Sequence, residues 1–141
     1  MTSDENIKCR TAPQPIGNYP HAKRVGSLLF LSGIGPRPAE GGKIPGTKID
    51  SNGQIRAINI EAQCHAVFAN VNTILENAGA KWDDLVDITV FLTDIEKNFD
   101  IYNRVYSEYF SANGPCRTTV EVNRLPTPIA IELKCIAKIQ K

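Results

Sequence analysis

Apolar residues recur every three or four positions over 59–78, with Ile60, Cys64, Val67, Phe68, Val71, Ile74, Leu75 and Ala78 on one stripe. That spacing predicts an amphipathic helix, and Gly79 supplies its C-terminal stop. A second stripe of Phe99, Tyr102, Val105, Tyr106, Tyr109 and Phe110 predicts a helix over 97–111, ended by Asn113-Gly114-Pro115. Elsewhere the period is two, as in a strand. Val86, Ile88, Val90 and Leu92 alternate with Asp87, Thr89, Phe91 and Thr93. Ile131, Leu133, Cys135, Ala137 and Ile139 form an apolar face opposed by Glu132 and Lys134. A hairpin is expected around Gly26, and its second strand, Ser27-Leu28-Leu29-Phe30-Leu31-Ser32-Gly33, is apolar enough to be central in a sheet. Glycine and proline concentrate in 34–54, which predicts a long surface loop of the kind that often carries function. Gly53 turns it into a short strand near Gln54-Ile55. Residues 1–20 are polar and proline-rich and read as an ordered loop or edge segment, not a helix, with 1–15, Cys9 included, expected as a flexible lead-in.

The order is strands, long helix, strand, helix, two strands. It predicts an α+β fold, with a single mixed β-sheet covered on one face by two helices. A chain of 141 residues is the size of one domain, here 1–141. In the strand around 115–122, Val120 and Val122 share one face and Arg117, Thr119 and Glu121 the other. If that strand lies near the one carrying Glu132, the guanidinium and the carboxylate meet on the face away from the helices. That face then mixes charge with Phe91 and Ile136, which fits a subunit interface containing a cleft. An arginine fork there suits a carboxylate, and a neighbouring glutamate suits proton transfer.

Charge narrows the function classes. The net charge is +1 with no basic stripe, which gives no support to nucleic-acid binding or a polybasic membrane anchor. No apolar run approaches the roughly 18 residues of a membrane helix. The first residues lack a secretory pattern, so a cytoplasmic location is expected. Cys9, Cys64, Cys116 and Cys135 are too scattered in sequence for a zinc or thioredoxin motif. His21 and His65 read as surface residues without a partner cluster.

Several segments together resemble the RidA/YjgF family of small imine and enamine deaminases. They are Ile16-Gly17-Asn18-Tyr19, Leu31-Ser32-Gly33, Asn77-Ala78-Gly79, Val90-Phe91-Leu92-Thr93-Asp94, Tyr102-Asn103-Arg104-Val105-Tyr106, Pro115-Cys116-Arg117-Thr118-Thr119-Val120-Glu121-Val122 and Leu125-Pro126. Within the family, Ser32-Gly33-Ile34-Gly35-Pro36-Arg37 and the run from Leu125 to Lys134 are most similar to 2-aminomuconate deaminases. The resemblance implies a chorismate-mutase-like fold and a homotrimer with clefts between subunits. It implies no metal and no organic cofactor. Carried over by residue, Arg117 is the carboxylate-binding arginine and Glu132 the acid that holds the attacking water. Tyr19, Ser32, Gly33 and Asn103 line the cleft. Thr119 stands where the family often has cysteine, which removes a thiol and adds a hydroxyl. A substrate with a second carboxylate wants a second cation, for which Arg37 is the leading candidate, ahead of Arg24 and Arg104.

The expected reaction is hydrolytic deamination of 2-aminomuconate to 4-oxalocrotonate and ammonia. Two alternatives stay open: a general deaminase that clears 2-aminoacrylate-type intermediates, and a ligand-binding trimer without turnover. Arg117 and Glu132 are also readable as members of a structural charge network.

Overall fold

A computed structural model describes residues 4–110, 112 and 114–139. The expected roles of Ser111 and Asn113 at the end of the second helix, and residues 1–3 of the lead-in, lie outside the described residues. The elements are β1 (Glu5–Ile7), β2 (Ala22–Val25), β3 (Leu28–Leu31), β4 (Thr47–Ile49), β5 (Ile55–Ile58), α1 (Ile60–Asn77), β6 (Leu85–Leu92), α2 (Ile95–Tyr109), β7 (Cys116–Glu121) and β8 (Ile131–Lys138). A short 3-10 turn, Trp82–Asp84, precedes β6.

Six strands form one mixed sheet in the order β1-β2-β3-β8-β6-β7. Only β6 and β7 are parallel, and α2 is the crossover between them, as parallel neighbours require. The apolar β3 lies inside the sheet between β2 and β8. Both helices pack on one face. Cys64, Val67, Phe68, Val71, Ile74 and Leu75 of α1 and Tyr102, Val105 and Tyr106 of α2 are buried against Leu29, Leu31, Ile88, Val90, Leu92, Leu133 and Cys135. The two helical stripes read from sequence are therefore the inner faces of α1 and α2. Asn59 caps α1 by accepting from the Ala62 amide (3.0 Å), and Asp94 caps α2 by accepting from Lys97 (3.0 Å).

Three expectations need correction. First, the lead-in is an edge segment, as one reading had it, and where it is described it is packed and not flexible. β1 pairs with β2, and Cys9 and Ala12 are 1% and 0% exposed. Second, His21 is not a surface residue. It is buried, accepts from the Cys9 amide at Nδ1 (3.0 Å) and contacts the Pro13 carbonyl through Nε2 (2.9 Å). With Nδ1 accepting, the proton sits on Nε2 and the ring is the neutral donor–acceptor link that holds 9–21 together. Third, the long loop contains the short strand β4, paired with β5.

A fourth correction reaches the site. The register pairs Ile88 with Arg117, Val90 with Thr119 and Leu92 with Glu121. It pairs Phe91 with Glu132 and Thr89 with Lys134. Arg117, Thr119 and Glu121 therefore point to the helix side. Glu132 and Lys134 point to the open face with Phe91 and Ile136. Within one protomer the guanidinium and the carboxylate lie on opposite sides of the sheet. β7 is an edge strand at the margin of the helical layer, so its inward positions meet the rim of α2 and not the dry core. Polar residues are tolerated there, and Val120 is left on the open side, 37% exposed.

Candidate functional site

The residues expected at the site fall into two groups. The first lines a cleft of about 360 Å³ at the end of the open face: Tyr19, Ser32, Gly33, Arg37 and Glu132, joined by Lys134. Ser32 and Gly33 follow β3, and Glu132 opens β8. Reciprocal backbone bonds between Ile34 and Leu133 (2.9 and 2.8 Å) clamp these segments side by side. A Cβ on Gly33 would lie 2.5 Å from Glu132 Oε2, so glycine lets the carboxylate rest over the backbone. Among the described residues, Glu132 has no ion-pair partner. Burial alone raises its pKa, because a half-dry carboxylate loses hydration on ionising.

The cleft walls are held from behind. Ser32 donates through Oγ to the Pro20 carbonyl (2.6 Å) and through its amide to His21 (2.9 Å). The buried His21 thus anchors the loop that presents Tyr19. Asn70 of α1 donates to the carbonyls of Gly35 (2.9 Å) and Arg37 (2.8 Å), and the Arg37 guanidinium donates to the Gln14 carbonyl (2.8 Å). Fully buried Gln63 ties the other wall. Its carbonyl accepts from the Ala130 amide (2.8 Å), and its amide donates to Thr47 Oγ1 (2.6 Å) and the Pro45 carbonyl (3.1 Å). That link fixes the entry into β8 just before Glu132.

The second group sits at the α2–β7 edge. The Arg117 guanidinium carbon lies 5.2 Å from the Tyr102 ring centroid and 4.7 Å from that of Tyr106. Its Nη1 donates to Asn103 Oδ1 (2.9 Å). The rings form a shelf, the asparagine sets the rotation, and the remaining donors of the fork have no ion-pair partner among the described residues. Thr119 Oγ1 bonds the Tyr102 hydroxyl (2.9 Å), so the residue expected in place of a family cysteine braces the shelf. Burial raises the pKa of Tyr102 and lifts that of Tyr106 to about 12, which keeps both neutral under the cation. Glu121 accepts from the Ile95 amide at the α2 N-terminus (2.9 Å), a structural role.

Three features escaped sequence reasoning. Lys134 was placed on the open face but not in the cleft. Tyr102 and Tyr106 read only as core, although their i, i+4 spacing also puts them on one patch under the neighbouring edge strand. Gln63 falls within the α1 stripe, but a polar residue there carried no apolar signal. Among the described residues no group of three or more His, Cys, Asp or Glu side chains could hold a metal ion, and no helix is long and apolar enough to cross a membrane.

Known proteins are similar to this chain over most of its length. The profile of the family described as endoribonuclease L-PSP matches residues 9–139. A RutC family protein of Pyrococcus abyssi is 41% identical, over 94% of this chain and 95% of its own. Reactive Intermediate Deaminase A of Arabidopsis thaliana, a chloroplastic protein, is 33% identical over 96% of this chain and 66% of its own. The crystal structure of E. coli TdcF with bound serine superposes with a TM-score of 0.82 at 31% identity, covering 96% of this chain and 99% of that one. A cleft beside Glu132, an arginine on an aromatic shelf and this extent of likeness lead to one assignment: the chain belongs to the RidA/YjgF family, also described as RutC or L-PSP proteins.

Proposed function

We propose that the protein is a cofactor-independent deaminase of carboxylate-bearing imines and enamines, with each site built from two copies of the chain. One copy supplies the Glu132 cleft, and its neighbour supplies Arg117 on the Tyr102–Tyr106 shelf. The observation that carries this reading is the separation itself. A guanidinium and a carboxylate, each without a charged partner among the described residues, stand on opposite sides of one sheet. Only a second copy brings them to one ligand. The half-apolar open face, with Val25, Leu28 and Val120 exposed, suits such an assembly, and a homotrimer closes it symmetrically.

In this mechanism Arg117 takes the carboxylate next to the C–N carbon and orients that carbon toward Glu132. An enamine first takes a proton at carbon and becomes the imine. Water adds to the imine carbon and gives its proton to Glu132. The same proton passes to nitrogen; the C–N bond then breaks as the hydroxyl forms the C=O and returns its own proton to Glu132, and ammonia leaves behind a ketone. Asn103 steadies Arg117, and Tyr19, Ser32 and Gly33 shape the wall around the reacting carbon.

The specific substrate in this reading is 2-aminomuconate, whose product would be 4-oxalocrotonate. Arg37 in the cleft supports it, as a cation for a second carboxylate. A general deaminase acting on 2-aminoacrylate-type imines is the second reading, favoured by the name of the Arabidopsis relative. The family description speaks of an endoribonuclease, but the two histidines offer no acid–base pair. His21 is buried in a structural role, and His65 lies on the outer side of α1 against Tyr109 and Glu61. The reaction is taken to occur in the cytoplasm.

The test is ammonia release from freshly generated 2-aminomuconate and 2-aminoacrylate, with wild type, Arg117→Ala and Glu132→Gln side by side. Wild type is expected to turn over at least one substrate, and each variant to lose about 100-fold or more. Undiminished turnover in Arg117→Ala refutes the assignment.

A further inference from the structure

The charge in the cleft does not balance. Glu132 is its one acid, whereas Arg37 and Lys134 both line it. Among the described residues neither cation stands within 4.0 Å of a carboxylate. Each is tethered by one bond to a backbone carbonyl, Arg37 to Gln14 (2.8 Å) and Lys134 to Leu31. A lysine ammonium has three donors and a guanidinium five, so most remain free. Lys134 is half-buried on an inner strand, where water screens its charge less than at an exposed site. Nor is it paired with Glu132, since among the described residues no Lys134 nitrogen lies within 4.0 Å of that carboxylate.

Geometry gives the cations separate tasks. Glu132 and Lys134 are two residues apart on the same face of β8, about 7 Å along the strand. A ligand whose reacting carbon faces Glu132 therefore extends toward Lys134 through a short carbon chain. On the reading above, Arg117 of the neighbouring copy already holds the carboxylate beside that carbon. The two cations left over face the other end.

We infer that Lys134, with Arg37, is the receptor for a second anionic group at the far end of the ligand, so that the site selects short α,ω-dianions over monocarboxylates. This rests on the deaminase reading, in which Arg117 holds the first carboxylate. It makes Lys134 a specificity-determining residue and not a member of the proton-transfer machinery.

Calorimetric titration with adipate and hexanoate, which share chain length and differ in the second carboxylate, tests this without turnover. Wild type is expected to bind adipate about tenfold or more tightly than hexanoate, the worth of one charge-assisted hydrogen bond. Lys134→Met keeps the apolar stem and is expected to bring the ratio close to one. Arg37→Gln should lower the ratio. Lys81→Met, the same charge change on an exposed site away from the cleft, should leave it as in wild type. Equal wild-type affinity for the two acids overturns the inference, and so does a full preference in Lys134→Met. If Lys134→Met does not fold, the wild-type ratio decides alone. Arg117→Ala separates the two claims, because it should weaken both acids alike. A failure there counts against the deaminase site and leaves the adipate preference to be judged on its own.

Discussion

A methyl group at Gly33 would press on Glu132 Oε2 from 2.5 Å. The atom it meets is the free end of a side chain, so the carboxylate would swing aside before the backbone moved. Gly33→Ala is therefore expected to cost about 100-fold in kcat/KM, the scale of an ångström-level misplacement, while Tm stays close to wild type. A large loss of Tm with activity retained would contradict this account. Glu132 itself makes a prediction of opposite signs for activity and stability. Burial raises its pKa, so the folded chain holds that proton more tightly than the unfolded chain. Ionisation then opposes folding. The penalty is absent below the ordinary carboxylate range and is fully felt above the raised value. Glu132→Gln should melt at or above wild type at neutral pH, with the gap closing on acidification. The proposed mechanism needs the ionised form, so wild-type kcat/KM should fall as pH drops through the raised value, above the usual glutamate range. Thermal melts and pH–rate profiles of the two proteins check both signs. The chemical type of these residues was legible in the sequence, because a glycine after an apolar strand and a glutamate in an alternating one are local signals. The raised pKa was not, because burial depends on residues over a hundred positions away.

The helices were legible for the same local reason, while β7 was not. In 116–121 both faces are polar, so the alternation names two sets without saying which faces inward. Val120 and Val122 suggested the inward set. The register with β6 places Arg117 and Thr119 inward instead. Their burial is supported by what α2 offers at its rim: two tyrosine rings, a hydroxyl and a helix N-terminus. One feature of that rim is unsatisfied. The Tyr106 hydroxyl is buried and, among the described residues, has no hydrogen-bond partner. An unmade buried bond costs about 1–3 kcal/mol. Tyr106→Phe removes the hydroxyl and keeps the ring under Arg117, so chemical denaturation should show stability raised by up to about that amount, with substrate KM little changed. A drop in stability would mean that the hydroxyl finds a partner in the assembled protein. β4 escaped notice because three residues within a glycine-rich loop make too short a period to detect, although its Thr47 reaches Gln63 and the Pro128 carbonyl (2.8 Å) and so braces the cleft wall.

On the proposed reading, assembly decides whether the Glu132 cleft and the Arg117 shelf become one site. The sequence predicts a mixed polar and apolar sheet face, and the open face carries such a mixture with Phe91, Ile136, Glu132 and Lys134 but without the expected Arg117, Thr119 and Glu121. What the sequence could not show is that Glu132 and Arg117 stand on opposite sides of the sheet. Arg117 stands on the helix side, and no side-chain rotation carries it through a hydrogen-bonded sheet. A single copy should therefore bind its ligand incompletely and turn nothing over. Arg117→Ala and Glu132→Gln each remove a different half, and both should be nearly inactive alone. In assemblies containing both variants, some sites combine an intact Arg117 from the Glu132→Gln copy with an intact Glu132 from the Arg117→Ala copy. Co-expressing the two with different tags, and purifying the doubly tagged species, should restore a substantial share of wild-type ammonia release. The double variant Arg117→Ala/Glu132→Gln, co-assembled with either single variant, should restore none, because no boundary then joins the two intact groups. If the doubly tagged species forms and stays as inactive as its components, the halves do not meet across a subunit boundary. Arg117 and Glu132 would then have to act separately, and a shared hydrolytic site would be lost along with the assembly that motivates it.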